Sequence, residues 1–380
     1  MQPPRLPRPT VVTEPSQVTS LIDHLSSHSI IAVDTESNSL YAYQEQVCLI
    51  QFSVPGADYL VDPLSELDLR PLGQVFANGA VEKVFHAAEY DVMCLRRDYG
   101  WTFAHLFDTM WAARVLGWPH SGLGHILLER FGVPLDKRWQ RHNWGQRPLS
   151  HEALDYARLD THYLLPLRDQ MLAEMKEKGR LEEAQEFFAD VAQARPNFKP
   201  FDPDEDIWRV KGAWDLEPGA RAALRELLIW RDAEARRQNR PVFKIVSDST
   251  LIALAQARPR SSEQMHGIAE FKPYHQRRYA HRILEAVGKG IGANAPQPPP
   301  RPNRPPDKVL KRHEALRRWR KGIAERRGVD PDVIVSNAAL WTLAQQAPRS
   351  AAELDALHVL GPWKQKAYGD ELLALLRKRG

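Results

Sequence analysis

The sequence is nearly without cysteine. Its 380 residues include two, Cys48 and Cys94, both set in apolar patterns. That excludes a disulfide framework and leaves no cysteine–histidine cluster suited to zinc. Long apolar runs are missing as well, and no stretch approaches the ~18 residues that a membrane-spanning helix requires. The opening Met1 to Pro9, MQPPRLPRP, is broken by prolines and carries no apolar core of signal-peptide kind. A cytoplasmic protein with no membrane partner is therefore expected, and a monomer.

The chain is well supplied with charge, and unevenly so. Residues 1–200 hold 19 Lys and Arg against 26 Asp and Glu, whereas residues 201–380 hold 33 against 22. An acidic front half and a basic rear half point to separate tasks. A basic half suits a polyanionic partner, although a solvated basic surface gives the same count.

One stretch of the front half stands out. Ile30 to Val33 run straight into Asp34-Thr35-Glu36. Four apolar residues, mostly β-branched, read as a strand buried on both faces. Side chains two apart on a strand leave the same face, so Asp34 and Glu36 share a side. Two like charges at the end of a buried strand call for a cation, and a divalent metal is the simplest. Alternatively, both acids are already in water where the strand leaves the core.

Around this strand the pattern predicts two more, at 47–54 and 58–62, joined in an antiparallel meander at Pro55-Gly56. Further elements follow: a helix near 69–76, a buried strand at 82–86, and helices at 87–97, 110–116, 123–131 and 151–178. Strands first and helices after imply an α/β domain over residues 1–200.

Beyond Pro200 the pattern is all-helical and repeats at an offset of 89 residues. Leu251 to Ser261 (LIALAQARPRS) matches Leu340 to Ser350 (LWTLAQQAPRS), with Trp230 on Trp319, Gln276 on Gln365 and Tyr279 on Tyr368. The reading is a duplicated helical module over 210–292 and 308–380, with a proline-rich linker at 293–307.

Two further acids have the right setting to join Asp34 and Glu36. Asp91 lies at a helix start directly after the buried strand at 82–86, where an N-terminal cap is the other reading. Tyr156 and Asp160 are four apart on one predicted helical face, where a buried hydroxyl–carboxylate pair is the other reading.

Together, Val33-Asp34-Thr35-Glu36, Lys83-Val84-Phe85-His86-x4-Asp91 and Tyr156-x3-Asp160-x2-Tyr163-Leu164-Leu165 resemble the tyrosine-containing branch of the DEDD superfamily of 3′→5′ exonucleases, and within it the ribonuclease D family. Leu49-Ile50-Gln51, Phe107-Asp108-Thr109 and Trp144-x2-Arg147-Pro148-Leu149 support it. His142-Asn143 departs from the Ser-Asp expected there. The repeated module resembles the HRDC domain. The resemblance implies an α/β RNase H-like domain, a mixed sheet flanked by helices, followed by two all-α HRDC domains.

It also implies Asp34, Glu36, Asp91 and Asp160 as ligands of two divalent ions, Mg²⁺ or Mn²⁺, with Tyr156 orienting the attacking water. The activity implied is hydrolysis of RNA from its 3′ end to nucleoside 5′-monophosphates, on tRNA precursors or other structured RNA. A DNA exonuclease of proofreading or repair type, and a nuclease-dead nucleic-acid-binding scaffold, are the competing functions. For substrate contacts the candidates are Gln51, His86, the backbone of Thr35 and Trp144, each of which also reads as a buried group satisfied by the fold. The basic residues of the helical copies would meet phosphate, or else only pack on the nuclease.

Overall fold

In a computed structural model of the chain, residues 6–268, 271–300 and 303–377 are described. The outermost residues of the expected domains, and Arg301 and Pro302 of the expected linker, lie outside them. The chain forms two compact units. One comprises residues 1–37, 47–196 and 304–380, the other 38–46 and 197–303.

The first unit is built on a six-stranded mixed sheet. Its elements are β1 (Thr10–Val12), α1 (Pro15–Ser26), β2 (Ile30–Ser37), β3 (Val47–Val54), β4 (Ala57–Val61), α2 (Gly73–Ala77), β5 (Glu82–Phe85), α3 (Glu89–Tyr99), β6 (Leu106–Asp108), α4 (Thr109–Leu116), α5 (Leu123–Phe131), α6 (His151–Ala157), α7 (Leu159–His162), α8 (Leu164–Glu177) and α9 (Leu181–Ala192). The strand order is β1-β4-β3-β2-β5-β6. β2 pairs antiparallel with β3 and parallel with β5. Ile31, Ala32 and Val33 are fully buried, as the apolar run required.

The register explains why β2 ends as it does. β5 accompanies β2 only as far as Ala32, opposite Val84, while β3 continues beside it to Ser37. Past Ala32 one side of β2 has no strand neighbour, and α3 begins where β5 stops. A strand that loses its parallel partner at its C-terminal end opens a crevice in an α/β sheet, the usual place for a ligand.

Two features depart from the sequence-based expectation. The helix expected over 151–178 is three segments, interrupted at Arg158 and Tyr163. Pro166 contributes to the second interruption, because it has no N–H for the carbonyl four residues earlier, that of His162. The short β1 and helix α1 have no counterpart in the expected elements. β1 is a three-residue edge strand pairing in parallel with β4, too short to show a period.

The second unit contains α10 (Pro203–Asp206), α11 (Pro218–Gln238), α12 (Asp248–Ala257), α13 (Ser262–Met265) and α14 (Pro273–Gly290). The second helical copy belongs to the first unit and comprises α15 (Asp307–Arg327), α16 (Pro331–Ile334), α17 (Asn337–Gln346), α18 (Ala351–Ala356) and α19 (Pro362–Arg377). The offset of 89 persists in three dimensions. α11 and α15 begin and end in register, as do α12 and α17. Ser247 and Ser336 cap them by accepting from Thr250 N and Ala339 N. Left-handed Arg258 (φ 44°) and Ala347 (φ 47°) close them. Arg231 and Arg320 donate to the carbonyls of Val246 and Val335.

Candidate active site

Asp34 and Glu36 leave β2 on one face, opposite Gln51 and Leu49 of β3. α7 packs against both strands and brings Asp160 over that face. Asp34, Glu36 and Asp160 each present a carboxylate oxygen within 4.8 Å of the others. Asp91, in the first turn of α3, approaches from the crevice side and accepts a hydrogen bond from the Thr35 hydroxyl. Of the pair expected on one helical face, Tyr156 comes from α6 and Asp160 from α7, across the interruption at Arg158.

A buried carboxylate outside the expected site residues fixes the approach of α3. Asp108 is fully buried at the end of β6. It accepts from Met110 N (2.9 Å) and Trp111 N (3.1 Å), capping α4, and from Ala87 N (3.1 Å) and Ala88 N (2.8 Å). The last two bonds hold the turn between β5 and α3, where Ala87 has φ 60°, a conformation an alanine adopts only when held. Asp108 thereby sets where Asp91 stands. The signal is present in the sequence, since Phe107-Asp108-Thr109 is an N-cap pattern.

The electrostatics are those of like charges crowded together, with Asp91 and Asp160 buried and Asp34 and Glu36 half-buried. Loss of hydration, then Asp91, Asp160 and Glu36, drives the Asp34 carboxyl well above the usual range. Glu36 is driven up by burial, Asp160 and Asp91. Burial raises Asp91 and Asp160 to about 7, with the Thr35 hydrogen bond pulling Asp91 back down. Among the described residues no lysine or arginine makes an ion pair with any of the four. An all-oxygen anionic set of this kind fits a hard divalent cation and not zinc.

Tyr156 is buried, with its ring 6.1 Å from that of Trp139 and 6.4 Å from that of Trp144, nearly parallel to both. Burial, Asp160, Glu36 and Asp34 all hold its hydroxyl protonated. Trp144 is itself 1% exposed, so it packs behind Tyr156 and is no open platform for a base. Arg147 secures that segment by donating to both carboxylate oxygens of Asp62 at 2.6 Å and to the carbonyls of Trp144 and Cys48 at 2.7 Å. His86 engages Thr109 through Nδ1 (2.9 Å), and burial lowers its pKa to about 4, so it is neutral. Thr35 spends its hydroxyl on Asp91. Gln51 is fully buried opposite Asp34, and neither of its amide atoms has a hydrogen-bond partner among the described residues.

A 3′-5′ exonuclease family model matches residues 9–176, and an HRDC domain model matches twice, at 220–287 and 309–376. Ribonuclease D of Acidiphilium cryptum is 31% identical, over 98% of this chain and 94% of that protein. The chain belongs to the ribonuclease D family. Exosome complex exonuclease RRP6 of Saccharomyces cerevisiae is 32% identical over 66% of this chain. Only 36% of that protein is covered, so the chain spans about a third of its length. The solved structure of Escherichia coli RNase D shares the fold, with a TM-score of 0.69, 24% identity, and coverage of 98% of this chain and 99% of that one. The exonuclease family is divalent-metal dependent, which agrees with the chemistry of the acidic cluster.

Proposed function

We propose that the protein is a 3′→5′ exoribonuclease that removes nucleoside 5′-monophosphates one at a time from structured RNA such as tRNA precursors. The observation that carries this reading is the convergence of Asp34, Glu36 and Asp160 with Asp91 held beside them, four acids with no ion-paired cationic side chain among the described residues. These four would hold two divalent ions, Mg²⁺ or Mn²⁺. When bound, such ions lower the pKa of water and stabilise charge on both the attacking and the leaving oxygen.

The chain's own residues supply position and proton placement. A water attacks the phosphorus of the terminal nucleotide and releases a proton to solvent, the bond from that phosphorus to the 3′-oxygen of the penultimate nucleotide breaks, and that oxygen takes up a proton from solvent. Tyr156, kept protonated, donates its O–H to the attacking water and fixes its line of approach. Trp139 and Trp144 hold the ring. Thr35 and Asp108 fix Asp91. Gln51, opposite Asp34 on β3, and His86 are the candidates for contact with the terminal nucleotide.

The test is incubation of 5′-labelled RNA and DNA oligonucleotides with Mg²⁺ or Mn²⁺. Single-nucleotide laddering from the 3′ end of RNA supports the proposal. Equal digestion of DNA points to a DNA exonuclease, and no digestion in either metal to a binding scaffold.

A further inference from the structure

The internal duplication allows the same module face to be compared in two settings. In the second copy this face is occupied by the nuclease. Arg327 forks the fully buried Glu183 of α9, with one bond at 2.8 Å. Lys364 Nζ stands 3.6 Å from the centre of the Phe187 ring, and Trp363 N donates to Glu186. Asp332 meets Arg114 of α4 at 2.6 Å. Gly361 lies so close to the Glu186 carboxylate that a Cβ there would collide with it.

The first copy carries different chemistry at each corresponding position. Gln238 replaces Arg327, Phe243 replaces Asp332, Lys272 replaces Gly361, Tyr274 replaces Trp363 and His275 replaces Lys364. The guanidinium that forked a buried carboxylate is gone, and a lysine stands where close packing required glycine. An acidic helix seated like α9 has lost its anchor and its clearance. In its place the face is exposed and cationic. Tyr274 is 54% exposed and Phe243 56%. Arg278, where the second copy has Ala367, donates to the Tyr274 hydroxyl (2.9 Å) and to Gln238 (3.0 Å). Lys272 and Arg277 are exposed beside it. Glu234 is 3% exposed and already satisfied by Arg237, Arg282 and Gln238. Tyr41 and Tyr43 contact the α11 end of this copy at Lys244, Asn239 and Asp232, and leave Tyr274 and Phe243 open.

We propose that this face of the first helical copy binds single-stranded RNA, with Tyr274 and Phe243 stacking on bases and Lys272, Arg277 and Arg278 meeting phosphates. Exposed aromatics among cations are how proteins hold a single strand without reading its sequence. The proposal rests on RNA being the substrate, and adds a second place where the strand is gripped.

Fluorescence anisotropy of a labelled single-stranded oligoadenylate of about 20 nucleotides, with the full-length protein in EDTA, measures binding without turnover. Tyr274→Ala should weaken binding by roughly 5- to 50-fold, while Tyr274→Phe, which keeps the ring, should stay within about twofold of wild type. Arg278→Ala should lower the salt slope by about 0.7, the share of one phosphate on a single strand. A Tyr274→Ala variant with wild-type affinity and an Arg278→Ala variant with an unchanged slope would overturn the proposal. So would the RNA remaining bound while a peptide of the α9 sequence, 181–192, binds the protein and is lost on Tyr274→Ala, which would make this a protein-docking face. If Tyr274→Ala fails to fold by circular dichroism, the Arg278→Ala slope decides, and an unchanged slope then overturns the proposal. Failure of the substrate reading itself is seen separately, in the wild-type laddering experiment with metal.

Discussion

The first unit buries carboxylates in two different ways. At the docked face of the second helical copy, Glu183 is fully buried against Arg327. Arg147 likewise covers Asp62, and Arg168 covers Glu82 at 2.6 Å. At the end of β2, Asp34, Glu36, Asp91 and Asp160 are crowded with one another and, among the described residues, make no ion pair with a guanidinium or ammonium. The desolvation cost is similar in kind at both places, yet only the first is offset within the chain. A paired acid holds the fold together. A set of unpaired acids stores repulsion that a bound cation would relieve, and that separates a site from a strut.

The two clusters should therefore respond to mutation with opposite signs. Asp34→Asn removes a charge from the repelling set. It should cut turnover on RNA by ~10²-fold or more and, in EDTA, raise Tm by several degrees, the equivalent of roughly 1–3 kcal/mol. Calorimetry in EDTA alongside the gel assay checks both halves. A variant that loses activity and stability together would make Asp34 a structural residue. Arg327→Ala should do the reverse, leaving Glu183 buried and unpaired at a cost of about 3–5 kcal/mol. The effect is read as a lower urea midpoint, and an unchanged midpoint would mean that the docked copy is held by its apolar contacts alone.

Titration sharpens the same contrast. Asp91 and Asp160 sit near 7 in the fold against an ordinary value of 3.8. Between those values the folded state binds more protons than the unfolded chain. The stability these groups contribute is thus fully present below about pH 4 and is lost as pH rises through 7. In EDTA, Tm should fall from pH 5 to pH 8. Saturating Mg²⁺, which favours the ionised set, should flatten or reverse that trend. A metal-free protein whose Tm rises across this window would contradict the crowding of unpaired acids.

Much of this contrast is legible in the sequence, because it depends on residue type at short spacing. The apolar run into Asp34-x-Glu36, the acid after β5 and the duplication at a fixed offset are local patterns that strands, helix starts and gene duplication leave behind. What is not legible depends on tertiary placement. Nothing near Trp144 reveals that it packs behind Tyr156, and nothing near Glu183 names Arg327, 144 residues away. The single long helix expected over Tyr156 and Asp160 fails for a different reason. Its apolar spacing persists across Arg158 and Tyr163, so periodicity alone does not register the interruptions. Asp108 is visible as a cap but not as the residue that also holds the β5–α3 turn, since that second task joins β6 to a neighbouring strand.

The smallest effect tests how the unpaired acids are kept in place without cations. Thr35 lies between Asp34 and Glu36 in sequence, points to the opposite side of β2, and donates its hydroxyl to Asp91. That hydrogen bond is among the few influences lowering the Asp91 pKa. Thr35→Val keeps the volume and β-branching of the side chain and removes only the donor. Asp91 should then ionise less readily and stand less firmly, raising the metal concentration for half-maximal activity by about 10-fold. The maximal rate at saturating metal should change less, because all four carboxylates remain. A Mg²⁺ titration of RNA hydrolysis checks this. An unchanged half-saturation point would show that Asp108, through the turn at Ala87, positions Asp91 unaided.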